Sequence, residues 1–368
     1  MAHEHQERYS ELTLVKMRAE LALKDGVVFN NDYEGDPKAG AVKVPVRDKE
    51  VEVSDYNKST GMNPTEGATS YKTIVISKDK GVNEIIDGYD EQSVPDNLVA
   101  DRLDSAGYSL ASVVDTDGGS TLLSGGTIEN VESITTANIY DIIVEIRKNM
   151  SKANVPNDGS RYMLVTPDIF AILLKSPQFV SASSLGDEVK QSGIIGRIAG
   201  FNIIEWNDST ANLAMIAGHP RFATRIKDWS VPVHIQSLDE SGKYIGAVAV
   251  QGRMVYDHAV LRASAIRCVF SPAVLSGSLA AATGSGTSGK TVVTISSGNT
   301  GTTYAYKINP AERAKYGVSS ANYGGTALTS GTTAISVSAG DVIEVVNFDS
   351  SAAVAAGYFT VSADDIAK

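Results

Sequence analysis

Cysteine occurs once in the 368 residues, as Cys268, so no disulfide can form within the chain. That usage fits folding in a reducing cytoplasm. The flanking stretch Ala265-Ile266-Arg267-Cys268-Val269-Phe270 is mostly apolar, which makes a small buried side chain the expected role rather than a reactive thiol. Histidine is scarce, with five in all. His3-Glu4-His5 lacks the His-Glu-x-x-His spacing of a zinc site, and His219, His234 and His258 lie far apart in sequence. No serine sits in a Gly-x-Ser-x-Gly elbow. No window approaches the ~20 apolar residues of a membrane span, and residues 1–20 lack the apolar core of a signal peptide. No nucleophile with a base and an orienting group emerges, so no catalytic, cofactor-binding or metal residue and no cofactor is expected.

What the chain does have is apolar mass and negative charge. Hydrophobic residues make up 42%, enough for real cores, and two or three domains fit the length. The 43 acidic and 32 basic residues leave a net charge of −11, which opposes tight general binding of nucleic acid and keeps subunits soluble.

Periodicity divides the chain. Leu12, Val15, Ala19 and Leu23 mark a first helix over residues 7–23. Val42, Val44 and Val46 alternate with Lys43, Pro45 and Arg47, and Val51 and Val53 continue the alternation. A polar tip with Asn57, Ser59, Gly61, Asn63, Pro64 and Gly67 follows, and residues 71–77 return as a second strand. A lone two-stranded ribbon is marginal in water, so this hairpin is expected to lie on another surface, a neighbouring copy first of all. Pro95 and Asp96 open a long amphipathic helix carrying Val99, Leu103, Ala106, Leu110 and Val113, and Asp117-Gly118-Gly119 breaks it. A second helix over 136–149 has Ile139, Ile142, Ile143, Ile146 and Met150 on its core face. Strands over 162–165, 198–206, 214–217, 231–238 and 245–256 follow, with short helices opened by Thr166-Pro167-Asp168 and His219-Pro220. The first 272 residues therefore read as an α+β unit. Serine, threonine, glycine and alanine dominate residues 276–290 as in a linker, and residues 291–368 read as a small all-β module.

Gly284-Ser285-Gly286-Thr287-Ser288-Gly289-Lys290-Thr291 fits the phosphate-loop pattern letter for letter. Its context argues against it. The residues that follow, Val292-Val293-Thr294-Ile295, are β-branched and read as a strand, whereas a phosphate loop opens a helix.

The order of elements resembles the major capsid proteins of tailed bacteriophages, the HK97 fold. Arg161-Tyr162-Met163-Leu164-Val165-Thr166-Pro167 resembles that family's strand-then-proline element. Gly193-Ile194-Ile195-Gly196-Arg197-Ile198-Ala199-Gly200-Phe201 resembles its passage into the axial core, and residues 246–261 resemble its closing strand. The resemblance covers about the first 272 residues. It implies an N-terminal arm over 1–35, an extended hairpin over 36–92, a peripheral domain with the spine helix over 93–119 and 235–275, and an axial domain over 120–234. The segment 276–290 would be a linker to an immunoglobulin-like surface domain over 291–368. It further implies a non-enzymatic head protein that assembles as hexamers and pentamers into an icosahedral shell around DNA, in the host cytoplasm, without sequence-specific contacts or a membrane. A portal protein, a separate scaffolding protein and decoration proteins are the implied partners. Some members crosslink through a lysine and an asparagine; here Lys49, Lys58 and Lys72 lie on the arm and read as solvated. An encapsulin-type compartment shell, or a surface adhesin with a carbohydrate-binding β module, are the other readings.

Overall fold

The computed structural model describes residues 21–35, 40–46, 53–62, 70–93, 98–176, 196–239, 242–296 and 303–368. The expected helix over 7–23 and the Asn63, Pro64 and Gly67 part of the hairpin tip fall almost wholly outside them. The chain forms two compact units, residues 1–126 with 218–266 and residues 127–217 with 267–368.

In the first unit the predicted hairpin is present as β1 (Ala41–Val46) and β2 (Ser70–Val75), paired antiparallel with Val44 opposite Lys72. Alternation puts Val42, Val44 and Ile74 on one face. That face packs within its own chain, on Ile226 and Ala259 with Tyr33, Ile76 and Leu261 around them. The hairpin base therefore needs no second copy to lie on, which corrects the sequence expectation. The hairpin is also shorter than residues 36–92. After Val75 the chain turns into β3 (Lys78–Ile86), which leaves the ribbon to pair with β10 (Val248–Val260). Strand β9 (Ala223–Ser237) flanks β10 on the other side, giving the order β3-β10-β9. A short helix, α1 (Gly88–Ser93), follows β3.

Helix α2 (Leu98–Gly125) lies on this sheet, burying Val99 and Ala106 against Ile86 and Val250, with Leu103, Val82, Val233 and Val248 closing around them. Its 28 residues span about 42 Å. The sequence placed a break at Asp117-Gly118-Gly119, yet the helix runs through it. The glycines serve close approach here. A Cβ on Gly118 would stand 3.0 Å from Phe29 Cε2, and one on Gly125 would stand 2.8 Å from Val260 Cβ. Tertiary packing thus overrides the low helix propensity of glycine.

The second unit is built on a six-stranded sheet. Its order is β4 (Thr127–Asn130), β11 (Arg267–Phe270), β8 (Leu213–Gly218), β5 (Tyr162–Val165), β7 (Phe201–Glu205) and β6 (Arg197–Ile198). β5 and β8 are buried at every position, as their unbroken apolar runs require of central strands. Helix α3 (Ile139–Lys152) buries Ile139, Ile143, Ile146 and Met150. Helix α4 (Pro167–Lys175) starts on a proline whose missing N–H costs nothing in a first turn. Cys268, in β11, is fully buried, and burial pushes its thiol up to about 12.

The chain order within the two units departs from the expected boundaries. β9 falls with the helix α2 unit because it is a long partner of β10, and residues 267–270 fall with the other unit because β11 pairs with β8 and β4.

The expected linker holds a strand and the turn that follows it. β13 (Gly277–Ala281) pairs antiparallel with β14 (Lys290–Ile295), and β17 (Ala334–Ser336) completes a three-stranded sheet. Small residues looked like a tether but sit where the backbone is crowded: a Cβ on Gly277 would meet Thr294 O at 2.5 Å. The facing sheet has the order β12 (Ala273–Val274), β19 (Ala352–Thr360), β18 (Val342–Asp349), β15 (Thr303–Ile308) and β16 (Thr326–Leu328). Leu275, Val293, Ile335, Ile343 and Val345 share one core between the sheets, so the module is a sandwich that begins by residue 273. The phosphate-loop pattern forms the β13–β14 turn, and Lys290 opens a strand instead of a helix.

Segment 310–325, including α5 (Ser320–Tyr323), covers the outer face of the larger sheet with Ala314, Val318 and Tyr323. Beneath it lies Glu344, fully buried, whose carboxylate accepts from Ala314 N at 2.7 Å and Tyr323 Oη at 3.0 Å. The same segment joins the module to the six-stranded sheet. Tyr316 N donates to Val131 O, and the Tyr316 ring stacks on Phe270 at 5.6 Å.

One substitution made at two places on α2 should act in opposite directions. Gly107→Ala meets open space and should stabilise by about 0.5–1 kcal/mol. Gly125→Ala must displace Val260 and should destabilise by about 1–3 kcal/mol. Thermal unfolding of the two variants beside the parent checks both signs.

Candidate functional site: the arm and its anchorage

The polar side chains that the sequence scattered over five segments meet at the root of the hairpin, within the first unit. Arg225, in the buried first four residues of β9, is the centre, and only 8% of it is exposed. Its Nε donates to His258 Nε2 at 2.9 Å, Nη1 to Asp25 Oδ1 at 2.6 Å and Nη2 to Leu23 O at 2.9 Å. The guanidinium also lies over the Phe29 ring, 5.1 Å from its centroid. Residues 22–30 are thereby strapped to the unit. Leu23 N donates to Asp115 Oδ1 on α2, and Asn30 exchanges backbone bonds with Ala223 and Arg225. Ala22, Leu23, Val28 and Phe29 are the buried side chains of this strap.

The hairpin root is held by the neighbouring residues of β10. Ser77 donates through N and Oγ to Asp257 Oδ2, at 3.0 and 2.9 Å. Tyr256 Oη donates to Asp117 Oδ2 of α2 at 2.7 Å, and Lys78 pairs with the same carboxylate at 3.6 Å. Lys72 is exposed, as an arm lysine was expected to be, and its Nζ donates to Val260 O at 2.5 Å. Lys58 is exposed, and Lys49 lies outside the described residues.

His258 Nε2 accepts from Arg225, so its proton sits on Nδ1, which is buried with no partner among the described residues. Burial, and then the charges of Arg225 and Lys78, hold its pKa down to about 3 against the partial opposition of Asp117 and Asp25. His219 is buried and accepts from Arg221 N, whereas His234 is exposed. Among the described residues no three His, Cys, Asp or Glu groups gather where a metal ion would bind, and no helix is long and apolar enough to cross a membrane.

The outer hairpin face differs in kind. Ala41, Pro45, Tyr71 and Val75 share it with Lys43 and Thr73, and Tyr71 and Val75 are each 64% exposed. Towards the tip, Val53, Tyr56 and Met62 are exposed as well. Sequence periodicity found this hairpin but missed the hub. Its only trace was polar residues interrupting apolar strands, in Ala223-Thr224-Arg225-Ile226 and Tyr256-Asp257-His258-Ala259.

Two variants test the anchorage. Arg225→Ala leaves the Leu23 carbonyl and Asp25 Oδ1 without their donor, Asp25 keeping only the exposed Lys227, and should cost about 3 kcal/mol, read as a lower melting temperature with earlier proteolysis in residues 21–30. The depressed pKa of His258 means that the unfolded chain takes up its proton first. Stability is therefore complete above about pH 6.5 and falls by up to about 1.4 kcal/mol per unit as pH drops towards 3. His258→Gln, which keeps an acceptor for Arg225, should flatten the melting-temperature profile between about pH 6 and 4.

No protein-family model matches the sequence, and no curated protein is significantly similar to it. Solved structures do match in fold. A chain from Mycobacterium phage Che8 is 22% identical with a TM-score of 0.58, covering 73% of this chain and 98% of that one. The capsid structure of the Cyanophage P-SCSP1u is 12% identical with a TM-score of 0.58, covering 72% of this chain and 93% of its own. The mature capsid of bacteriophage PhiM1 gives 13%, 0.52, 71% and 92% for the same quantities. With its spine-like α2, protruding hairpin and two-unit α+β body, the chain has the fold of phage capsid chains, the HK97 fold.

Proposed function

We propose that this chain is a major capsid protein, a non-enzymatic subunit that assembles as hexamers and pentamers into an icosahedral shell enclosing phage double-stranded DNA. The observation that carries this reading is the fold likeness over nearly the full length of a phage chain, 98% of it. The exposed apolar face of the hairpin supports it, since Tyr71, Val75 and the Val53, Tyr56 and Met62 tip ask for cover from outside the chain. A neighbouring copy is the natural cover in a shell of repeated interfaces. The net charge of −11 is compatible with a wall that contains DNA without gripping it. A portal protein, a scaffolding protein and decoration proteins are the further partners of such a shell, which would form in the host cytoplasm and persist in the virion. The C-terminal sandwich is read as an immunoglobulin-like surface domain. The matched share of about three-quarters of the chain is close to the part that precedes this sandwich.

Negative-stain electron microscopy of the purified protein, across a concentration series and with crowding agent, should show rings of five or six subunits or closed shells. Monomers alone under every condition, including co-expression with a scaffolding candidate, would overturn the reading. The two hairpin faces separate fold from assembly. Val75→Asp, on the outer face, should abolish rings while leaving the subunit melting temperature unchanged. Val44→Asp, on the inner face, should lower that temperature, because Val44 is fully buried in its own chain.

A further inference from the structure

Arginine clusters at one corner of the second unit, in a chain that is otherwise acidic. Arg161, at the entrance to β5, is 1% exposed, so a guanidinium charge is sealed inside the fold. Its partners are neutral. Nε donates to Pro156 O at 2.8 Å, Nη2 to Val155 O at 2.6 Å, and both Nη groups lie 3.3–3.4 Å from Ser151 Oγ. Carbonyls satisfy its hydrogen bonds but leave its charge uncompensated, and arginine stays protonated in proteins. Burial and then the like charge of Arg147 oppose it, with Asp158 as the carboxylate that favours it. Two further guanidinium groups border the same loop. Arg197 donates from Nη2 to Gly159 O at 2.8 Å and from Nε to Asn202 Oδ1 at 2.7 Å. Arg147, on α3, lies against the turn at Gly200, its Cζ 3.8 Å from where a Cβ would stand, with Asn157 Oδ1 on the other side. Positive φ at Gly159 and Gly200 bends both turns tightly enough for these side chains to close in. None of the three arginines forms an ion pair with a carboxylate among the described residues, whereas Lys148 beside them is taken up by Glu145.

Three positive groups gathered against the single carboxylate of Asp158 repel one another, and Arg197 is exposed and Arg147 half-buried, whereas Arg161 is sealed in. We infer that Arg147 and Arg197, backed by Arg161, bind a phosphate-type oxyanion. Guanidinium groups suit such an anion in charge and donor geometry, and Arg197 keeps its Nη1 for it while Nε and Nη2 donate to Asn202 and Gly159. The phosphate comes either from a nucleic-acid backbone or from a free phosphate species.

Isothermal titration of the full chain at fixed ionic strength tests this, with inorganic tripolyphosphate in one series and duplex DNA in another. The parent should bind tripolyphosphate, and the Arg147→Gln/Arg197→Gln double variant should bind at least about tenfold more weakly, since each charge-assisted bond is worth about 1.5–3 kcal/mol. A Lys80→Gln/Lys243→Gln control, equal in net charge, should match the parent. Binding of both probes with the same dependence on the two arginines assigns the site to a nucleic-acid backbone; binding of tripolyphosphate alone assigns it to a free phosphate species. An Arg147→Lys/Arg197→Lys variant guards against misfolding and should recover part of the affinity. Lack of binding by the parent, equal binding by the Gln variant, or equal loss in the control would overturn the proposal.

Discussion

A single buried cation sets the terms for the first unit. Arg225 sits where water cannot reach, so its charge must be answered by the protein, and the answers come from distant parts of the chain. Asp25 and the Leu23 carbonyl come from the N-terminal strap, His258 comes from β10, and Phe29 offers its ring. Removing such a charge with all its partners can be neutral, but removing one member strands the rest. The hub is therefore a device for register. It states which residues of the strap lie on which residues of β9, and through Asp115, Asp117 and Asp257 it ties that register to the helix and the hairpin root.

The hairpin illustrates the division between self and neighbour. Its inner face is spent on the chain's own core at Ile226 and Ala259, and its outer face is left apolar and open. A ribbon anchored on one side and adhesive on the other has the two properties that an assembly arm needs. It is held at a defined angle before it meets a partner, so less ordering remains to be done on contact. The C-terminal sandwich follows the same economy. Segment 310–325 closes over Glu344 and at the same time stacks Tyr316 on Phe270, so one stretch of chain both completes the module and seats it on the six-stranded sheet.

Period-two alternation made β1 and β2 legible from Val42, Val44 and Val46, and the long buried runs of β5 and β8 were equally plain. Helical spacing from Val99 to Val113 revealed α2 but not its full length, because Gly118 and Gly119 are read locally as breakers and only Phe29 and Leu23, brought in from far away, explain Gly118. The stretch before Lys290 misled for a related reason. Gly277 there meets a crowded backbone and Gly284, Gly286 and Gly289 turn the chain at positive φ, which looks the same in sequence as a free tether. The hub was least legible of all. Asp25, Arg225 and His258 are spread over more than two hundred residues, and no local pattern announces that a charge at one will be answered at the others.

The glycines of α2 also have a mechanical meaning. A helix is a rod held stiff by its backbone hydrogen bonds, and glycine, whose backbone is least restricted, is where such rods bend. Gly118 and Gly119 stand side by side in the turn that touches Leu23 and Phe29. Load applied along the rod will concentrate its curvature at this soft point. Bending there shifts the surface that the strap rests on, so flexure of the helix and loosening of the strap become a single motion.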